Sequence, residues 1–271
     1  MERIAGGFAL AEAPVAAPDG GVWFSDAVGG GAYRWSPGSD EVETVIPKRR
    51  GIGGMARHAA GGLVVSGRDV SRIDGALAEV LYADPTAAGF NDLTVDPDGR
   101  VVAGVLRFHP FKGEDPAPGE FARLETEAPR RWCWAVSNGP TGAASPRTAR
   151  RSTPVTTAAA SCAQRTEEGA YRDARELIAS PSGEADGLAV DENGGIWVAL
   201  GGGGAIGRFR PDGELEAMVD VPAPFVASLC FGGDGRDLFV TTTGDPGDPD
   251  APGGVYLARA PVAGVPVPAV A

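Results

Sequence analysis

The chain is poor in the residues that metal clusters, disulfide frameworks and catalytic triads are made from. Its three cysteines, Cys133, Cys162 and Cys230, are odd in number and show no C-x-x-C spacing, which points away from a disulfide framework and from a thiolate zinc site. The two histidines, His58 and His109, exclude a His-rich metal cluster and leave a Ser-His-Asp triad with few ways to assemble. No apolar run approaches the roughly 18 residues of a membrane-spanning helix, and the N-terminus lacks a basic region followed by an apolar stretch. A cytoplasmic location is therefore expected. Positive charge is also short: 24 basic residues face 36 acidic ones, a formal net charge of −12. Such a surface repels phosphate backbones and anionic lipid, so neither nucleic acid nor membrane is expected as a partner, and it favours cations.

What the chain does contain is glycine, proline and short apolar runs. The 271 residues include 41 Gly and 23 Pro, and helical periodicity is almost absent, which argues for an all-β protein. One unit of turn, apolar strand, small-residue turn and second strand recurs. It reads PDGGVWFSDAVGGGAYRWSP at 18–37 and AGGLVVSGRDVSRID at 60–74. It returns at 96–124 (DPDGRVVAGVL to GEFARL), at 191–213 (DENGGIWVALGGGGAIGRFRPDG) and at 234–259 (DGRDLFVTT to GGVYLAR). A spacing of roughly 40–50 residues marks propeller blades, and about 45 residues per blade predicts six four-stranded antiparallel blades around a central channel, one domain over 1–271. Trp23, Trp35 and Trp197 fall at blade-core positions, Asp98 and Asp191 are expected to cap turns through Asx hydrogen bonds, and Gly201–Gly204 reads as a blade turn.

A gap in the series lies between about 125 and 185, and the residues there are odd. From Gly139 to Arg165 there is no aromatic residue, no acid, and one β-branched aliphatic, Val155, so the stretch offers nothing for a core strand. One reading is a surface insertion of Ala, Pro, Thr and Arg. The genetic code offers another. Joining the third base of one codon to the first two of the next, the junctions from Ala144/Ser145 to Thr148/Ala149 permit Phe-Ser-Pro-Asp-Gly, a blade turn. Those from Asn138/Gly139 to Thr141/Gly142 permit Trp-Ser-Asn-Gly. We expect residues 131–166 to be translated one base out of register, disrupting one blade.

Three motifs then resemble the SMP-30/gluconolactonase/luciferin-regenerating-enzyme-like (regucalcin-like) family. Ala11-Glu12-Ala13-Pro14-Val15 is similar to the family's Gly-Glu-Gly-Pro-Val. Phe90-Asn91-Asp92, followed by Asp96-Pro97-Asp98-Gly99-Arg100 and Ala103-Gly104, resembles its Asn-Asp-Gly motif and the turn and strand behind it. Ala185-Asp186-Gly187-Leu188-Ala189-Val190-Asp191 with Ile196-Trp197-Val198-Ala199 resembles Pro-Asp-Gly-Leu-Ala-Val-Asp and Leu-Trp-Val-Ala. The likeness covers residues 5–125 and 169–265.

The resemblance implies a six-bladed propeller that hydrolyses a small sugar lactone with one divalent metal, Ca²⁺ favoured and Zn²⁺, Mg²⁺ or Mn²⁺ as alternatives. It makes Glu12 and Asp186 metal ligands and Asn91 a substrate contact. The family's remaining ligand, the Asn of Ser-Asn-Gly, falls in the shifted stretch, where Asn138 is the nearest substitute. Asp186 doubles as general base, and His109, in a loop beside Pro110, is a further candidate for substrate contact. Plainer readings exist for each: a solvated turn carboxylate for Glu12, an Asx cap for Asp186, a turn for Asn91, a structural loop for His109. Two other functions stay open: a phosphotriesterase-like hydrolase on the same metal platform, and a catalytically impaired propeller serving as a binding scaffold. Oligomeric state is not legible beyond a monomer or weak dimer.

Overall fold

In the computed structural model the described residues are 1–109, 112, 114, 115, 117, 119–124, 130–136, 140–144, 151–156, 159–165, 171–244 and 253–271. Of these, 130–136, 140–144, 151–156, 159–165 and 171–176 are described by backbone alone. Consecutive strands pair antiparallel in fours. The first sheet holds β2 (Ala11–Ala16), β3 (Val22–Asp26), β4 (Gly31–Trp35) and β5 (Val42–Pro47). The second holds β6 (Met55–Arg57), β7 (Leu63–Val65), β8 (Val70–Asp74) and β9 (Leu77–Tyr82). Next come β10 (Gly89–Val95), β11 (Val101–Leu106), β12 (Gly119–Arg123) and β13 (Arg130–Val136). After them β18 (Leu188–Val190), β19 (Ile196–Ala199), β20 (Ala205–Phe209) and β21 (Leu215–Asp220) form another sheet. In the last, β22 (Phe225–Gly232), β23 (Asp237–Thr243) and β24 (Gly253–Arg259) are completed on the outside by the N-terminal β1 (Glu2–Phe8). Pairing the two ends of the chain in one sheet closes the arrangement through backbone hydrogen bonds.

Four blades, and three strands of a fifth, are thus described into their side chains where the repeat count predicts six. Over the stretch whose composition offered no core strand, the backbone still pairs antiparallel: β14 (Pro140–Ala144), β15 (Arg151–Thr156), β16 (Ala159–Arg165) and β17 (Tyr171–Ala179). The expected break in strand pairing is therefore corrected at the level of the backbone. Polar side chains do not prevent pairing, because the ladder is made by main-chain groups. The first strand of each sheet touches that of the next, in the order β2, β6, β10, β14, β18, β22 and back to β2.

The core lies between neighbouring sheets, and this explains which strands the repeat reveals. The second strand of each blade is covered on both faces, so it reads as a continuous apolar run: Val22 and Phe24, Val64 and Val65, Val198, Phe239 and Val240 are all fully buried. Burying each such side chain is worth about 1.5–3 kcal/mol. Trp35 and Trp197 are core as expected, while Trp23 is half-buried beneath the Arg34 guanidinium, 5.7 Å from its ring. Asp191 caps its turn through the amides of Asn193 (3.0 Å) and Gly195 (2.7 Å), and its second oxygen accepts from Trp197 Nε1 and Arg208 Nε. In the preceding turn the cap is Asp96, which accepts from the amides of Asp98 and Arg100, rather than Asp98. The correction follows from geometry: an Asx cap reaches forward two residues, so the first Asp of Asp-Pro-Asp-Gly makes it.

Residues 260–271 run across the ends of the inner strands. Gly264 N–H donates to Gly235, Glu192 N–H to Ala263, and Val265 N–H to Val190. Further along, Val270 N–H donates to Arg57, Ala59 N–H to Val270, and Ala271 N–H to Gly99. The tail therefore ties four blades together at the C-terminal ends of their inner strands. Together with those strands it lines a channel cavity of about 270 Å³, reaching from Pro266–Pro268 at one end to Asp92 and Gly187 at the other. No helix among the described residues is long and apolar enough to cross a membrane.

Candidate functional site

The inner strands are irregular where the family-like motifs fall. The β2–β3 register shifts between Glu12 and Val15, and the β10–β11 register between Phe90 and Leu93. A bulge re-aims side chains that plain alternation would send to opposite faces. It does so here for Glu12 and for the Asn91-Asp92 pair. Asp186 stands two residues before β18, its N–H bonded to Ala199 of β19 (2.9 Å), while the Gly187 N–H reaches Ala227 of the next blade (2.9 Å). The approach at Gly187 is so close that a Cβ there would lie 2.1 Å from Ser228 Oγ, a physical reason for glycine after the aspartate.

Burial and charge bring these groups into one field. Glu12 is 9% exposed and Asp92 7%, while Asp186 and Asn91 are half-buried. Burial pushes the Glu12 carboxyl well above its ordinary value, and the charges of Asp186 and Asp92 push it further against a hydrogen bond from Ala13 N–H (2.7 Å). Burial likewise raises the Asp186 carboxyl, aided by Asp92 and Glu184 and opposed by the Gly187 amide. Asn91 Nδ2 donates to Asp92 Oδ2 at 3.2 Å, and Gly53 of the neighbouring blade comes so near that a Cβ there would lie 2.0 Å from Asn91 Oδ1.

The structure thus brings Glu12, Asp186 and Asn91 to one end of the channel, and adds Asp92 as a third carboxylate. Plain alternation along a strand would hide one of the adjacent Asn91 and Asp92, and the register shift between Phe90 and Leu93 removes that alternation. Glu184, exposed, is a further acid within electrostatic reach of Asp186. Asn138 lies outside the described residues. His109 sits half-exposed in the loop after β11, its N–H donating to Glu114 Oε2 (2.8 Å). Among the described residues no three His, Cys, Asp or Glu side chains close around a point as a complete metal site.

Ala13 makes the Glu12 bulge costly. It holds φ 50°, a left-handed conformation that disfavours a side chain by about 1–2 kcal/mol. A β-branched residue fits there least. We expect Ala13→Val to destabilise the protein by about 2 kcal/mol or more and to lower activity by displacing Glu12. Thermal unfolding with a parallel rate measurement checks this, and unchanged values would show that the bulge tolerates branching.

Comparisons with known proteins follow the same motifs. A family model described as the SMP-30/Gluconolactonase/LRE-like region matches residues 10–244. A pentonolactonase from Haloferax volcanii is 31% identical, over 89% of this chain and 84% of its own length. A 6-deoxy-6-sulfogluconolactonase from Pseudomonas putida is 31% identical, over 82% and 79% respectively. A solved regucalcin from Agrobacterium tumefaciens, described as a calcium-binding protein, superposes with a TM-score of 0.84 at 19% identity, covering 100% of this chain and 97% of that one.

Proposed function

We propose that this chain, which belongs to the SMP-30/gluconolactonase/LRE-like family, hydrolyses a small sugar lactone at the Glu12–Asp92–Asp186 end of a six-bladed channel, with β14–β17 as the sixth blade. The observation that carries the reading is that carboxylates from three blades lie within one another's electrostatic reach at one end of the channel, Glu12 and Asp92 on bulged inner strands and Asp186 just before its own. The curated relatives named as lactonases support the reaction class.

The residues fit a hard divalent cation. Carboxylates pressed together out of water hold one another toward the protonated form, and a cation relieves both the desolvation and the repulsion. Glu12 and Asp186 would hold it, Ca²⁺ by preference, with Asn138 as the expected further donor. Bound there, the ion would polarise the lactone carbonyl and lower the barrier to attack by water. Asn91, its carboxamide fixed between Asp92 and Gly53, orients the substrate. Asp186 accepts the proton of the attacking water and returns it to the ring oxygen as the ester C–O bond breaks, giving a hydroxy acid. His109 is the candidate contact at the rim. We further propose that residues 131–166 are translated one base out of register and that the protein is cytoplasmic.

The test is pH-stat hydrolysis of glucono-δ-lactone with added Ca²⁺ and then with excess EDTA, corrected for spontaneous opening. Hydrolysis that EDTA abolishes is expected. No hydrolysis of any sugar lactone with metal present would favour the binding scaffold.

A further inference from the structure

Seven serine and threonine side chains are buried among the described residues. Five of them commit their hydroxyls to the protein. Ser25 Oγ donates to the Ile52 carbonyl (2.7 Å), and Ser66 Oγ accepts from the amides of Gly53 (3.2 Å) and Gly54 (2.8 Å). Ser71 Oγ donates to Asp69, Thr241 Oγ1 to the Ser228 carbonyl (3.3 Å) and Thr242 Oγ1 to that of Gly254 (3.2 Å). The other two are Thr94, 6% exposed, and Ser228, 7% exposed, whose hydroxyls have no hydrogen-bond partner among the described residues. They are also the two of the seven that line the channel cavity.

Both stand at the carboxylate end of that cavity. Thr94 follows Asp92 by two residues on β10, and Asp92 lines the same space. Ser228 lies on β22, whose register shifts between Val226 and Ser228 much as those of β2 and β10 shift at Glu12 and at Asn91-Asp92. Its Oγ is 2.1 Å from where a Gly187 Cβ would stand, and so at most about 3.6 Å from the Gly187 Cα. The Gly187 amide in turn supports the Asp186 carboxylate. A buried hydroxyl that the protein leaves without a partner is matched by ordered water. The cavity of about 270 Å³ has room for several waters at about 30 Å³ each. Water in the channel therefore adjoins the carboxylates from the side of the C-terminal tail. A lactone that settles over the carboxylates from outside shuts bulk solvent away and leaves this water in place.

We propose that Thr94 and Ser228 hold the water consumed in hydrolysis and present it to the reacting carbonyl from the channel side. The proposal rests on the lactonase reading above and supplies its second substrate. The oxygen of that water bonds to the lactone carbonyl carbon. One of its protons passes to Asp186 and on to the ring oxygen as the ester C–O bond breaks, and the other stays on the new carboxyl group. The experiment opens glucono-δ-lactone in water containing methanol, with Ca²⁺ present and spontaneous opening subtracted. Hydroxy acid and methyl ester are quantified for wild type, Thr94→Val, Thr94→Ser and Ser228→Ala. Thr94→Val and Ser228→Ala should each lower kcat for hydrolysis by about tenfold with KM within about twofold, since they remove an interaction with the attacking water and not with the lactone. They should also lower the ratio of acid to ester by about threefold or more, because methanol arriving from the mouth does not depend on these hydroxyls. Thr94→Ser keeps its hydroxyl and should keep both values. Side chains that served packing alone would lower the two products together, so a ratio unmoved in both Thr94→Val and Ser228→Ala would overturn the proposal. A crystal structure of the wild type keeps the two readings apart. Ordered water on both hydroxyls, in a protein that opens no lactone, would sink the lactonase and keep the water site. Lactone hydrolysis with an unmoved ratio would do the reverse.

Discussion

Replacing Asp186 by Asn is expected to lower kcat/KM on a sugar lactone by about a thousandfold or more, since it removes the proposed general base and a cation ligand together. The same change should make the metal-free protein more stable, and this pairing of effects distinguishes a functional carboxylate from a structural one. The sign follows from the raised carboxyls of Glu12 and Asp186, whose ordinary values are 4.5 and 3.8. A carboxyl raised in the folded state binds its proton there more tightly than in the unfolded chain. In EDTA, the contribution of these two groups to stability is therefore greatest at acid pH and falls as pH rises from the ordinary carboxylate range through the raised folded values. Asn carries no charge to repel, so at pH 8 in EDTA the variant should unfold at a higher temperature than wild type. Adding Ca²⁺ should reverse the order, because saturation at a hundred times Kd adds about 2.7 kcal/mol to wild type and little to a chain lacking the ligand. Glu12→Gln should behave alike. Scanning calorimetry at pH 5 and pH 8, with and without Ca²⁺, checks the pattern; a variant less stable than wild type in EDTA at pH 8 would mark Asp186 as a structural cap.

Removing residues 262–271 is expected to have the largest effect on stability. The truncation deletes six backbone hydrogen bonds to Gly235, Glu192, Val190, Arg57, Ala59 and Gly99, which belong to four blades. Each bond is worth about 0.5–1.5 kcal/mol net, and the entropy of ordering the tail returns part of the sum. A loss of about 2 kcal/mol or more should remain, lowering Tm by about 5 °C or more in a chain of this size. Amide exchange should quicken first at Ala59 and Glu192, whose N–H groups would lose their acceptors. An unchanged Tm would show that the tail lies on the ring without bracing it.

The parts of this architecture that could be read from the sequence share one physical cause. Runs such as VWFSD, IWVA and DLFVTT become the second strands of blades, buried on both faces, so hydrophobicity alone reveals them. The inner strand GFNDLTV hides because its polar residues face the channel and its bulge breaks the alternation. Outer strands fail for the opposite reason: LAEVLY is exposed at every residue but the last, so no buried face imposes a pattern. The pairing of β1 with β24 joins residues about 250 positions apart, which no local period encodes. At the site, Glu12 and Asp186 were legible through their motifs, whereas Asp92 acquires its place from a bulge.

The tail across the inner strands also decides how traffic moves. A ring with both mouths open could admit a reactant at one side and discharge at the other. Here residues 264–268 line the end of the cavity away from Asp92 and Gly187 and add bulk to that mouth. If lactone opens at the carboxylates as proposed, the hydroxy acid is expected to leave by the mouth its lactone entered, with product and fresh substrate sharing one passage.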